Sequence, residues 1–189
     1  MIEPLHSPPA LIETERLLLR ARRPDEAPEL KDLIDRNLEH LRRWMRWAMD
    51  EPSSLEVIRA RLELFASKFA ANVEWGYGIY LRDGGALIGG LGLHRRDEPD
   101  VLEIGYWIDE AHTRRGFATE AARALTEIAL RMRGVAHVEI RCDPNNELSA
   151  AVPRRLGYAH IATLQADSIT PSGEPRDTMV WRRSTPAVS

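Results

Sequence analysis

The chain has 189 residues, 43% hydrophobic and 29% charged, the mix of an ordinary globular domain with a sizeable core. Its 26 Lys and Arg against 29 Asp and Glu give a formal charge of −3, without the basic excess of a nucleic-acid binder. The lone cysteine, Cys142, excludes an internal disulfide, and no Cys/His cluster has metal-ligand spacing, so no metal is expected. The N-terminus lacks a basic-then-apolar signal pattern and no stretch approaches membrane-spanning length; a cytoplasmic protein without nucleic-acid or membrane partners is expected.

In chain order, proline-rich residues 1–10 read as a loose lead-in and 11–20 (LIETERLLLR) as a strand. Asp25 is placed to cap a helix that tolerates Pro28 in its first turn, with Leu30, Leu33, Ile34, Leu38 and Leu41 at helical spacing. A second helix opens at Ser53, where Glu56 completes a capping box, and Leu55, Ile58, Leu62, Phe65 and Phe69 form its buried stripe. The period then changes to that of three consecutive strands, 77–82, 86–94 and 101–109, which predicts an antiparallel meander. The helix with the strongest pattern follows at 117–133, closed by Gly134. A strand at 135–142, a short helix at 147–156 and two strands near 161–169 and 178–182, joined by a TPSGEP turn, complete the order. The expectation is one mixed α/β (α+β) domain over 11–183, with about four helices and a disordered tail at 184–189.

The segment 103–122, EIGYWIDEAHTRRGFATEAA, runs from a buried strand through a short loop into the long helix. The first amides of a helix lack internal partners and carry partial positive charge, which suits an anion. Gly116 permits close backbone approach. Arg114 and Arg115 oppose the helix dipole, a conflict that a bound phosphate would remove; an ordinary exposed basic turn is the alternative. No Gly-Lys-Ser/Thr follows, so this is not a Walker loop, and no GxGxxG is present here. The run Gly89-Gly90-x-Gly92 lies in a predicted strand and reads as small residues beside a bulky neighbour or ligand.

Four ordered pieces carry a resemblance: ETERLLLR at 13–20, LRRWMRW at 41–47, EIGYWI with RRGFATEA, and DPNNELSAAVPRRLGY at 143–158. Together they resemble the GNAT superfamily of N-acetyltransferases and, within it, the RimJ/RimL branch of protein N-terminal acetyltransferases. The resemblance implies acetyl-coenzyme A as cosubstrate and an amine as acceptor. It implies a splayed pair of parallel strands, 101–109 and 135–142, with the pantetheine arm paired near Trp107 and Ile108. The diphosphate would lie on the amides of Arg114, Arg115, Gly116, Phe117, Ala118 and Thr119, with Asn146 and Ser149 as further coenzyme A contacts. Thr113 departs from the usual Gln/Arg of the loop, Arg114 stands where many relatives have Gly, and Pro153 fills the slot of a Tyr acid common in the superfamily.

Acetyl transfer to an amine needs a proton acceptor, a polarised carbonyl and help for the departing thiolate. Glu103 is the first choice for the base, against an outward strand carboxylate, and His94 the second. Ser149 is the candidate donor to the thiolate, against a Ser that bonds its own helix backbone, and the Ile108 N–H the candidate oxyanion donor. Direct transfer is expected, without Cys142 as nucleophile. Trp44 and Trp47, with His94, are candidates for the acceptor pocket; at i, i+3 the two tryptophans also suit one buried helix face. Arg154 and Arg155 are either phosphate contacts or ordinary surface arginines. The acceptor is a protein N-terminus, of the ribosomal-protein type, or a small amine; a non-catalytic acyl-coenzyme A module is a further reading. A homodimer is the assembly considered.

Overall fold

The computed structural model describes residues 6–170 and 173–185; residues 171–172 of the expected turn and 186–189 of the expected tail lie outside them. One sheet runs in the order β1 (Leu11–Glu13), β2 (Leu17–Ala21), β3 (Trp75–Leu81), β4 (Leu87–Arg95), β5 (Val101–Ile108), β6 (His137–Cys142), β8 (Pro175–Ser184), β7 (Ala159–Ile169). Neighbours are antiparallel except β5 and β6, which are parallel. The helices are α1 (Ala27–Arg36), α2 (Leu38–Trp44), α3 (Leu55–Ala70), α4 (Phe117–Ala129) and α5 (Glu147–Arg155).

Several boundaries differ from expectation for local reasons. The strand expected at 11–20 is a tight hairpin, because the polar run at 13–16 turns on Thr14, whose Oγ1 accepts from Leu17 N at 3.0 Å. Asp25 does not cap α1; it lies in a 3₁₀ turn, Pro24–Glu26, ahead of it. Among the described residues five helices replace about four because Asn37 breaks the first: its side-chain amide donates to Leu33 O at 2.8 Å, competing with the backbone. Ser54, not Ser53, caps α3, accepting from Val57 N at 3.4 Å. The long helix stops at Ala129, where Arg131 N turns back to Ile128 O at 3.0 Å.

Side-chain alternation gives the sheet two apolar faces. Leu17, Leu19, Tyr77, Ile79, Leu93 and Ile104 pack with Phe117, Ala121 and Leu125 of α4 into the principal core. The opposite face, with Tyr80 and Leu87, packs under α1 and α3 through Leu30, Ile34, Ile58 and Leu62. A fully buried Leu or Ile contributes about 1.5–3 kcal/mol, so both layers are firmly fixed to the sheet.

The parallel strands pair only where 101–103 meet 137–139. Beyond Glu103 they part, while β5 continues to Ile108 along β4. The fold thus contains the splayed pair that the resemblance implies.

Candidate active site

A cleft of about 470 Å³ occupies this opening, between the N-terminus of α4 and the first turns of α5. Asp109 N donates to Ile88 O at 2.8 Å, while Ile108 lies opposite Gly89. In an antiparallel ladder this makes Ile108 a pair without mutual hydrogen bonds, so its N–H points away from β4. The same alternation turns the Tyr106 N–H toward the opening and binds the Trp107 backbone to Gly90. The open strand edge is therefore that of Tyr106 and Ile108, while Trp107 lines the cleft with its backbone paired to β4.

The loop from β5 to α4 is held from three sides. Asn37 Oδ1 accepts from Glu110 N at 2.8 Å, and Asp109 accepts from Arg36 and from Ala111 N at 3.1 and 3.4 Å. Burial would push the Asp109 carboxyl up, but hydrogen bonds from Asn37, Arg36 and His112 outweigh it and hold the group below its ordinary range. Arg16 Nη1 donates to Arg115 O at 3.0 Å, its Nε donates to Glu120 Oε2 at 2.7 Å, and its guanidinium lies 4.6 Å over the Phe117 ring. This clamp leaves the amides of residues 114–119 without an acceptor among the described residues. Gly116 (φ 82°) and Arg114 (φ 60°) are both left-handed, which gathers these amides into an anion-binding concavity. A coenzyme A diphosphate fits this donor set, with Arg114 and Arg155 lining the same cleft.

On the α5 side, Asn146 caps the helix by accepting from Ser149 N at 3.1 Å, so its carbonyl is committed to structure. Ser149 lines the cleft, and Tyr106 Oη lies 3.2 Å from its Oγ and donates to its carbonyl at 3.0 Å. Burial holds the Tyr106 phenol far above its ordinary value, hence neutral. Cys142 is buried and its thiol is pushed up by desolvation, which disfavours a thiolate nucleophile.

A second cleft, of about 540 Å³, opens on the α1–α3 face and shares Met45, Tyr106 and Trp107 with the first. Its floor has a row of glycines in register across three strands: Gly76 opposite Gly92, and Gly92 opposite Gly105. A Cβ at Gly92 would collide with Nε2 of His94; the glycine run makes room for neighbours, as its spacing implied. His94 Nδ1 pairs with Glu74 Oε1, and Glu74 Oε2 accepts from Lys68 at 2.5 Å. Burial alone would raise the Glu74 carboxyl, but Lys68 and His94 hold it low. Trp47 and Trp107 form an aromatic wall, with ring centroids 6.1 Å apart at 57°.

Of the residues singled out in the sequence, Trp44, Trp107, Ile108, Arg114, Gly116, Ala118, Thr119, Asn146 and Ser149 line the first cleft, and Trp47 and His94 the second. The lining also includes Phe117, whose ring is buried in the principal core. Arg115 lines neither cleft; its guanidinium stacks 5.1 Å from that ring. Glu103 lines neither cleft: it pairs with Arg96 and with Arg141 at 3.5 Å, opposite His94 on the next strand. Trp44 and Trp47 do not share a helix face, because α2 ends at Trp44 and Trp47 lies in a 3₁₀ turn. Arg154 stacks 5.4 Å from Trp181. Glu74, Arg22, Arg16 and Tyr106 escaped the sequence reading as site residues; only Arg16 and Tyr106 stood inside quoted motifs.

An opened parallel strand pair over a diphosphate cradle, joined edgewise to a separate aromatic pocket, defines a two-substrate transferase of the acyl-coenzyme A type. A sequence model of the acetyltransferase (GNAT) domain matches residues 16–159, and the chain belongs to that family. It is a GNAT N-acetyltransferase similar to the RimL/RimJ group. YdaF of Bacillus subtilis (strain 168), which carries a provisional ribosomal N-acetyltransferase name, is 32% identical over 145 residues, 76% of this chain and 78% of YdaF. The ribosomal-protein-serine acetyltransferase of Escherichia coli (strain K12) is 26% identical over 149 residues, 77% of this chain and 80% of that protein. The ribosomal L7/L12 alpha-N-protein acetyltransferase RimL, solved with coenzyme A, matches in fold with a TM-score of 0.84 at 23% identity, over 92% of this chain and 97% of that one. No helix among the described residues is long and apolar enough to cross a membrane, and no group of three or more His, Cys, Asp or Glu among them could hold a metal.

Proposed function

We propose that this enzyme transfers acetyl directly from acetyl-coenzyme A, held in the β5–β6 opening, to the α-amine of a protein N-terminus entering over the glycine floor. The carrying observation is that the two clefts share Tyr106, Trp107 and Met45, so a thioester on one side of β5 can meet an amine on the other. The names of YdaF and the E. coli relative support a ribosomal-type protein acceptor.

An α-amine has a pKa near ~8 and arrives largely protonated at neutral pH, so a proton acceptor is needed. His94 is our candidate: Glu74 engages Nδ1, which fixes the tautomer with the lone pair on Nε2, the atom over Gly92. Lys68 in turn anchors Glu74. Glu103, the first choice from the sequence, lies opposite His94 but pairs with Arg96 and Arg141 and does not line the pocket, which favours His94. The Ile108 N–H, free at the strand edge, supplies a donor to the carbonyl oxygen as negative charge develops. Ser149 Oγ is the donor to the departing sulfur: with the Tyr106 proton on the Ser149 carbonyl, the Ser149 hydroxyl donates to Tyr106 Oη at 3.2 Å and turns from it to the sulfur.

The test is mass spectrometry of a cell extract incubated with the enzyme and isotopically labelled acetyl-coenzyme A. Label on protein N-termini is expected. Label confined to small amines would replace the acceptor, and no label in either fraction would overturn catalysis.

A further inference from the structure

Arg22 lies at the end of β2 with its backbone N–H on Gly76 O at 3.2 Å, so it borders the glycine floor of the second cleft. The residue is 8% exposed, and its side chain makes no hydrogen bond to any described residue; Nη1 is fully buried without a partner. The neighbouring carboxylates are taken. Glu26 accepts from Arg20 at 2.5 Å and from Arg23 N at 3.0 Å, Glu51 pairs with Arg61 at 2.6 Å, and Glu74 holds Lys68 and His94. Asp50 lines the cleft only as an exposed residue.

A buried guanidinium without an acceptor is costly, and Arg does not shed its proton to escape the cost. Desolvation indeed lowers the affinity of this group for its proton. A second donor converges on the same spot. A Cβ at Gly90 would collide with Nη2 of Arg22 and lie 2.5 Å from Nε1 of Trp107, and the Trp107 indole also lacks an acceptor among the described residues. The absence of a Cβ at Gly90 is what lets both donors lie against the strand at the cleft. Since Gly90 and Gly92 lie two residues apart on one strand face, the paired donors and His94 Nε2 are separated by roughly 7 Å.

We propose that Arg22 and Trp107 form a carboxylate subsite, and that the acceptor is an α-amine bearing a carboxylate within a few bonds of the amine. The proposal rests on reading the second cleft as the acceptor pocket. Two sources present this chemistry: a polypeptide whose first or second residue is Asp or Glu, and a free amino acid, whose own α-carboxylate lies close to the amine. An oxyanion on Arg22 Nη2 and Trp107 Nε1 gives the guanidinium the acceptor it lacks and places the amine toward His94.

The experiment measures binding and turnover separately. Calorimetry gives Kd for matched peptides with Asp or Asn, and Glu or Gln, at the first two positions, and for a free amino acid against its α-carboxamide; acetylation of each is followed with acetyl-coenzyme A. The acidic member should bind at least about tenfold tighter than its amide. The preference should collapse toward unity in Arg22→Gln and be partly kept in Arg22→Lys, with coenzyme A affinity as the fold control for both. Equal affinities of acid and amide in the unmodified enzyme overturn the subsite, as does a preference that survives Arg22→Gln. Acid-selective binding without acetylation of any acceptor supports the subsite while sinking the acetyl-transfer reading of the pocket. Selectivity confined to peptides or to free amino acids identifies the source.

Discussion

Tyr106 supplies the hydrogen bond that Pro153 withholds. In an uninterrupted helix the carbonyl of Ser149 would receive the amide of residue 153, but proline has none; the Tyr106 hydroxyl donates to that carbonyl instead, at 3.0 Å. The phenol thus repairs α5 at the turn that carries Ser149. Tyr106→Phe should destabilise the fold by about 1 kcal/mol, because it removes the partner of a part-buried carbonyl. Pro153→Ala, which restores the helical donor, should recover most of that loss in the double variant, although the substitutions lie on different elements. Urea midpoints of the four proteins in the cycle check this. Additive effects would mean that the two residues are not coupled.

The acceptor side makes a second expectation. If His94 takes the proton, His94→Gln should lower turnover by a factor on the order of 10²–10⁴ while leaving coenzyme A affinity unaltered, since His94 does not line that cleft. Glu74→Gln should lower turnover less, by loosening the ring rather than removing the base. Glu103→Gln should chiefly cost stability, as Arg96 and Arg141 lose a partner. Stopped-time assays with coenzyme A titrations on the three variants separate these outcomes; a Glu103→Gln enzyme that is inactive yet folded would restore Glu103 as the base.

The reach of the sequence here follows from the range of the interactions involved. The turn into α4 was legible because everything it needs is local: a strand, two residues with φ near +60° to +80°, and the free amides of the next helix. The meander and α4 were legible through their periods. The pair His94–Glu74 was not, because 20 residues and a turn separate its members and the pairing depends on strand register. Arg22 was illegible for the converse reason: its significance lies in the partners it lacks. Trp44 and Trp47 misled because i, i+3 spacing implies a shared face only while the helix continues, and α2 stops between them.

Acid should loosen the turn at the N-terminus of α4. Glu120 sits in the first turn of α4; burial would raise its carboxyl, but hydrogen bonds from Thr14 and from the backbone and side chain of Arg16 outweigh this and depress it. A carboxyl depressed in the folded state contributes stability that is complete above its ordinary value of 4.5 and is lost as pH falls through the folded value. Coenzyme A affinity should therefore hold at pH 4.5 and weaken only as pH falls through the lower, folded-state value, because Arg16 then loses the anchor that aligns it on the Arg115 carbonyl. Glu120→Gln should show the weakened affinity already at neutral pH and flatten the acid limb, as read by calorimetric titration across this range.

Arg114 and Gly116 make the last expectation, because both hold left-handed backbone but only one is glycine. Left-handed φ costs a non-glycine residue roughly 1–2 kcal/mol. Arg114→Gly should therefore raise the urea midpoint, offset in part by the freer unfolded chain. The same change removes a cation that lines the diphosphate end of the cleft, so coenzyme A should bind severalfold more weakly to a more stable protein. Gly116→Ala should act in the opposite sense on stability, by about 1 kcal/mol, with Arg16 Nη2 lying 3.4 Å from the added methyl. Gly116→Glu should abolish coenzyme A binding, since it adds bulk and negative charge where the diphosphate must lie. Opposite shifts in stability together with losses of affinity in both variants would tie the geometry of this turn to the ligand it holds. If Gly116→Glu kept its affinity, the diphosphate would have to sit elsewhere.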